Sequence, residues 1–79
     1  MNTATAPKIT MQPVESSNLA AAGYDPATQT LAIRFKGGVL YHYHDVTPAD
    51  YEAFTKAKSK GGHFHTAIRG KFKFTKIGG

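Results

Sequence analysis

Four histidines, four tyrosines and a lysine-rich C-terminal third hold most of the side chains in this chain that could do chemistry. His42 and His44 alternate with Tyr41 and Tyr43 in "YHYHD". On a strand the two histidines share a face and could hold zinc or copper if two further ligands joined them. As surface histidines beside basic residues they would hold nothing. His63 and His65 in "HFH" would stand about 200° apart on a helix and could not chelate together. There is no cysteine, which excludes disulfides, thiolate metal sites and a cysteine nucleophile. Neither a metal nor a cofactor is therefore expected.

Charge separates the chain into two parts. Residues 1–55 carry Lys8, Arg34 and Lys36 against five carboxylates, a net of −2. Residues 56–79 carry Lys56, Lys58, Lys60, Arg69, Lys71, Lys73 and Lys76 with no acid, a net of +7. Clustered cations gain free energy by releasing counterions from a polyanion, so nucleic acid is the expected partner. A solvated, solubilising surface would have the same composition. In "SKGG" the glycines Gly61 and Gly62 let backbone amides converge while Ser59 and Lys60 add a hydroxyl and a cation, a weak phosphate cradle. The same four residues also suit a plain turn between helices. In "RGKFKFTK" cations alternate with Phe72 and Phe74, so phosphates could meet the former and bases stack on the latter. An inward phenylalanine row under exposed lysines is the other reading. Tyr41 and Tyr43 are likewise base-stacking candidates on a sheet or members of the core.

The elements that must position these residues fill one domain. Residues 1–13 show no period and are expected to be a disordered arm, with a single domain over 14–77. "VESSNLAAAGYD" is a first strand and "DPAT" a turn. "TLAIRF" alternates strictly, and "VLYHYHDV" returns after "KGG". Two registers of that hairpin are possible. A three-residue loop of Lys36, Gly37 and Gly38 pairs Phe35 with Val39, Ile33 with Tyr41 and Leu31 with Tyr43. It gathers the large apolar residues on one face and leaves Arg34, Leu40, His42 and His44 on the other, open one. A two-residue loop would slip every side chain to the opposite face. The first register is favoured because it unites the apolar set.

Thr47, Pro48 and Asp50 form a helix start, and Tyr51, Phe54 and Ala57 form its buried stripe. "SKGG" interrupts, "HFHTAIRG" makes a second short helix with Phe64 and Ile68 on one face, and "KFKFTKI" is a final extended segment. The expected fold class is α+β: a three-stranded antiparallel meander, two short helices and a C-terminal extended segment. No secretory leader or membrane span is visible, so a cytoplasmic location is expected.

Taken in order, these motifs resemble the KTSC domain, named for its occurrence at the C-terminus of some lysyl-tRNA synthetases. The resemblance covers roughly residues 14–72. It runs through "VESSNLAAAGYD", "LAIRF", "YHY", Val46, Pro48, Tyr51, and Ser59, Lys60, Gly61, Phe64, Ile68 and Arg69. His65 stands where the family pattern usually has Asn, and "KFKFTKIGG" extends past it. The family also occurs as free-standing small bacterial and phage-type proteins. What the resemblance implies about function is modest: RNA binding is suggested mainly by the synthetase context, and no catalytic residue is carried over.

The expected function is non-catalytic nucleic-acid binding, RNA before DNA, through Lys56, Ser59, Lys60, Gly61, Arg69, Lys71 and Lys73, with Tyr41, Tyr43 and Phe72 as stacking candidates. Two alternatives stand beside it. One is a protein-interaction or homodimerisation module using the "KFKFTKI" edge. The other is a small metal-independent ribonuclease drawing on His42, His44, Tyr43 and Arg69.

Overall fold

A computed structural model of the chain describes residues 9–78. Five strands form one antiparallel sheet in sequence order: β1 (Gln12–Pro13), β2 (Leu19–Asp25), β3 (Thr30–Phe35), β4 (Leu40–Tyr43) and β5 (Phe74–Gly78). The expected meander is β2–β3–β4. The structure adds a strand at each edge, and the C-terminal extended segment is the last of them.

The three-residue loop is the one formed. Phe35 N–H donates to Val39 O at 2.9 Å and Gly38 N–H to Phe35 O at 3.0 Å. Gly37 and Gly38 sit at φ 112° and 100°, backbone that a side chain would strain. Leu31 faces Tyr43 and Ile33 faces Tyr41, which puts both tyrosines on the apolar side. There Leu19, Leu31, Ile33, Tyr43, Val46, Phe54, Phe64 and Ile68 are buried together.

The opposite face is less open than expected. His42 and Ala32 on it are buried. A Cβ on Gly23, which pairs with Ala32, would run into Thr10 O and Ile9 Cγ2, so Ile9–Thr10 cross that face against the bare glycine. The arm expected over 1–13 is thus corrected at its C-terminal end: Gln12 pairs with Ala22 and Pro13 with Ala21. Residues 1–8 of that arm lie outside the described residues. The strand expected from Val14 is β2 and begins at Leu19, because Ser16 Oγ accepts from the N–H groups of Asn18 and Leu19 and bends the chain there.

Helix α1 (Pro48–Lys56) starts on a full capping box. Asp50 N–H donates to Thr47 Oγ1, and Thr47 N–H donates to the Asp50 carboxylate, both at 3.2 Å. Tyr51 stacks on Tyr24 at 4.6 Å between ring centroids, and the Tyr24 hydroxyl donates to Val46 O. The second helix corrects the sequence reading. It begins at Lys60, with Ser59 as N-cap, and carries both glycines inside it as α2 (Lys60–His63). Gly61 is there for close approach: a Cβ would come within 2.6 Å of Asn18 Oδ1 and 2.7 Å of Ser16 Oγ. The helix then widens into a π-helical turn (Phe64–Ile68), closed by Arg69 N–H donating to Phe64 O at 2.8 Å.

Candidate ligand cavity beside the basic loop

Between the π-helical turn and the β4–β5 side of the sheet lies a cavity of about 380 Å³. Its apolar lining comes from the sheet and the turn together. Tyr43 and Phe64 are buried in it, Phe35 and Tyr41 are half-buried, and Phe74 is 58% exposed. The rings meet edge to face, Phe35 on Tyr41 at 83°, Tyr43 on Phe64 at 78° and Tyr41 on Phe74 at 84°. This crossed arrangement favours contact of ring edges with ring faces and prevents the rings from collapsing into one flat stack.

The polar lining consists of Asn18, His65 and Arg69. His65 lies on the π-helical turn and Arg69 caps it. Arg69 Nη1 lies 3.5 Å from His65 Nδ1 and 3.4 Å from Nε2, so the guanidinium is held against the imidazole. Burial raises the Tyr43 hydroxyl above its ordinary range, Tyr41 adds to this, and the positive charge of Arg69 opposes both. No carboxylate lines the cavity among the described residues. π-Helical turns recur at functional sites because the extra residue re-aims side chains. Here Phe64 and Ile68 of the turn are buried and Arg69, which closes it, is exposed.

Arg69 opens the loop Gly70–Lys73, in which Gly70 adopts φ 84° and Lys71 and Lys73 are exposed. A shallow depression along Gly70 to Phe74 continues from the cavity. Of the residues singled out in the sequence, the structure therefore brings together Arg69, Lys71, Lys73, Tyr41 and Tyr43. The others stand elsewhere. Lys56 is ion-paired with Glu52 at 3.4 Å on α1. Ser59 Oγ is occupied by Gly62 N–H at 3.1 Å, and Gly61 is buried against the Ser16–Asn18 turn. Neither these residues nor Lys60 lines the cavity. Phe72 packs half-buried against the core, whereas Phe74 turns to the cavity.

His42 of β4 and His44 just past its end stand on the far side of the sheet. His42 is paired with Thr75, and His44 Nε2 lies 2.8 Å from Thr75 Oγ1. Burial, then the neighbouring His44, lowers the His42 pKa below its usual 6.5. The sheet thus separates His42 and His44 from Tyr43 and Arg69, the four groups grouped together from sequence. Among the described residues no three histidine, aspartate or glutamate side chains converge as a metal would need. Sequence reasoning missed Asn18, Phe35, Phe64 and His65 as lining residues. The only hint was that His65 and Arg69 stand four apart.

The KTSC domain matches residues 15–72 of the chain. This chain belongs to the KTSC domain family. The crystal structure of a KTSC domain protein from Yersinia pestis superposes with a TM-score of 0.85 at 39% identity, covering 90% of this chain and all of that one. A small protein from Tsukamurella paurometabola is 46% identical over 63 residues, 80% of this chain and 94% of its own length. A lysine–tRNA ligase from Nostoc punctiforme is 43% identical over 63 residues, but this chain corresponds to only 11% of that enzyme. The KTSC unit thus occurs both nearly alone and as a small part of a synthetase. No described helix is long and apolar enough to cross a membrane.

Proposed function

We propose that this KTSC domain is a non-catalytic nucleic-acid-binding module, RNA before DNA, that meets phosphates with Arg69, Lys71 and Lys73. The observation that carries the reading is the continuity of the three cations with an aromatic cavity free of carboxylates among the described residues. Lys56 contributes little, since Glu52 already faces it. The occurrence of the same unit in lysine–tRNA ligases, whose substrate is an RNA, supports RNA over DNA.

The test is fluorescence anisotropy with a labelled single-stranded RNA and the DNA of the same sequence, titrated at 50 and 200 mM salt. Three phosphate contacts give a log–log slope of about −2, hence about a twentyfold loss of affinity over that range. Replacing Lys71 and Lys73 with alanine should reduce the slope by about 1.4 and Lys56→Ala should leave it unchanged. Affinity that ignores salt overturns the proposal.

A second reading, self-association, is favoured by one observation. β5 is an edge strand on which Phe74 and Ile77 are exposed. Sedimentation that shows a dimer without any RNA affinity supports this reading over the first.

A further inference from the structure

We propose that the cavity receives one unpaired nucleotide of a single strand, its base among the aromatic rings and its phosphate on Arg69. The inference rests on the nucleic-acid reading above and adds a specific way in which the chain is engaged. A cation row alone binds the outside of any polyanion, duplex or single strand. The structure has something a cation row does not need.

Phe74 is the first part of the argument. It is more than half exposed, yet it packs against the half-buried Tyr41 and the buried Tyr43 at 5.3 and 5.6 Å between ring centroids. An aromatic face offered to solvent beside basic residues is the feature on which single-stranded bases stack. The second part is size. About 380 Å³ lies at the low end of small-molecule sites, which suits one nucleoside-sized group and is far too small for a base pair within a helix. A base in a duplex is stacked and paired on both sides and cannot enter such a space unless it is turned out. Single strands and loops present it without that cost.

The third part is the polar edge. Arg69 has no carboxylate partner among the described residues, and its guanidinium is steadied against His65. A guanidinium can bind a phosphate through two parallel N–H groups, each donating to one of its oxygens. Asn18 lines the same cavity; its Oδ1 already accepts from Ser16 Oγ, so its amide N–H groups are what it can donate to the edge of a base. The next phosphates along the strand would then run over Lys71 and Lys73. The placement yields a division of labour: lysines hold the backbone, and the cavity distinguishes a strand with free bases from one without them.

The experiment compares, on the unaltered protein at one salt concentration, an eight-nucleotide single-stranded RNA with an abasic oligomer of the same length and charge. Binding of the RNA should be about tenfold tighter, the scale of one base stacked on an aromatic ring. Phe74→Ala should remove that difference while leaving the salt slope intact, and Ile77→Ala, at the other exposed apolar position of β5, should preserve it. Equal affinity for the two oligomers, or a preference that survives Phe74→Ala, overturns the cavity proposal and leaves phosphate binding standing. Failure of both oligomers to bind overturns the nucleic-acid reading itself, and with it this inference.

Discussion

Gly61→Ala sets two effects of opposite sign against each other. Alanine in place of glycine inside a helix stabilises it by about 1 kcal/mol. At Gly61, however, the new methyl would lie 2.6 Å from Asn18 Oδ1 and 2.7 Å from Ser16 Oγ. Each oxygen would have to retreat by about 0.7–0.8 Å to reach the 3.4 Å of ordinary contact. Neither is free to do so. Ser16 Oγ donates to Asn18 Oδ1 at 2.9 Å and accepts from the N–H groups of Asn18 and Leu19 at 3.3 and 3.2 Å. Losing these three hydrogen bonds costs about 3 kcal/mol at roughly 1 kcal/mol each. The net is a loss of about 2 kcal/mol, a large share of the stability of so small a domain. Urea denaturation measures it, with a lowered midpoint and an unchanged slope. In a Ser16→Ala/Asn18→Gly background the obstacle is gone, and Gly61→Ala should become stabilising by about 1 kcal/mol. A Gly61→Ala protein as stable as the parent, or a penalty that persists in the double-variant background, refutes the reasoning.

Two further outcomes concern the second face of the sheet. His42 has its pKa lowered by burial first and His44 second, so the folded state takes up its proton less readily than the unfolded chain. Stability attributable to His42 is therefore complete above about pH 6.5 and falls as pH drops from there toward the lower folded value. Urea midpoints at pH 7.5 and 5.5 should diverge in the parent and converge in His42→Gln. Gly23→Ala would drive a methyl into Thr10 O and Ile9 Cγ2. Amide exchange should then accelerate in the β1–β2 pairing around Gln12 and Ala22 while the β3–β4 hairpin keeps its protection.

What could be read from the chain alone was what local rules decide. The β3–β4 register follows from uniting Leu31, Ile33, Phe35, Tyr41 and Tyr43, and the start of α1 from Thr47, Pro48 and Asp50. The failures share one cause, a partner distant in sequence. Two adjacent glycines mark a break by propensity, but Gly61 is needed because Ser16 and Asn18 press on it from another part of the chain. Strict alternation puts Phe72 and Phe74 on one face. β5 starts only at Phe74, so Phe72 goes to the core margin and Phe74 to the cavity. A two-residue strand such as β1 has no pattern of its own and exists by pairing with Ala21 and Ala22. For the site, Arg69, Lys71 and Lys73 were visible as charge. The aromatic lining was not, because β3, β4, the π-helical turn and β5 build it together.

The wall carrying Phe74 has a different standing from the rest of that lining. The family match stops at residue 72, and every residue of β5 is exposed, joined to the molecule through β4 and the His44–Thr75 contact. Folding draws little on such a strip, so selection can rewrite it at small thermodynamic risk. On the binding mode proposed above, substitutions along this outermost ribbon would change what the cavity holds while the rest of the scaffold stays as it is.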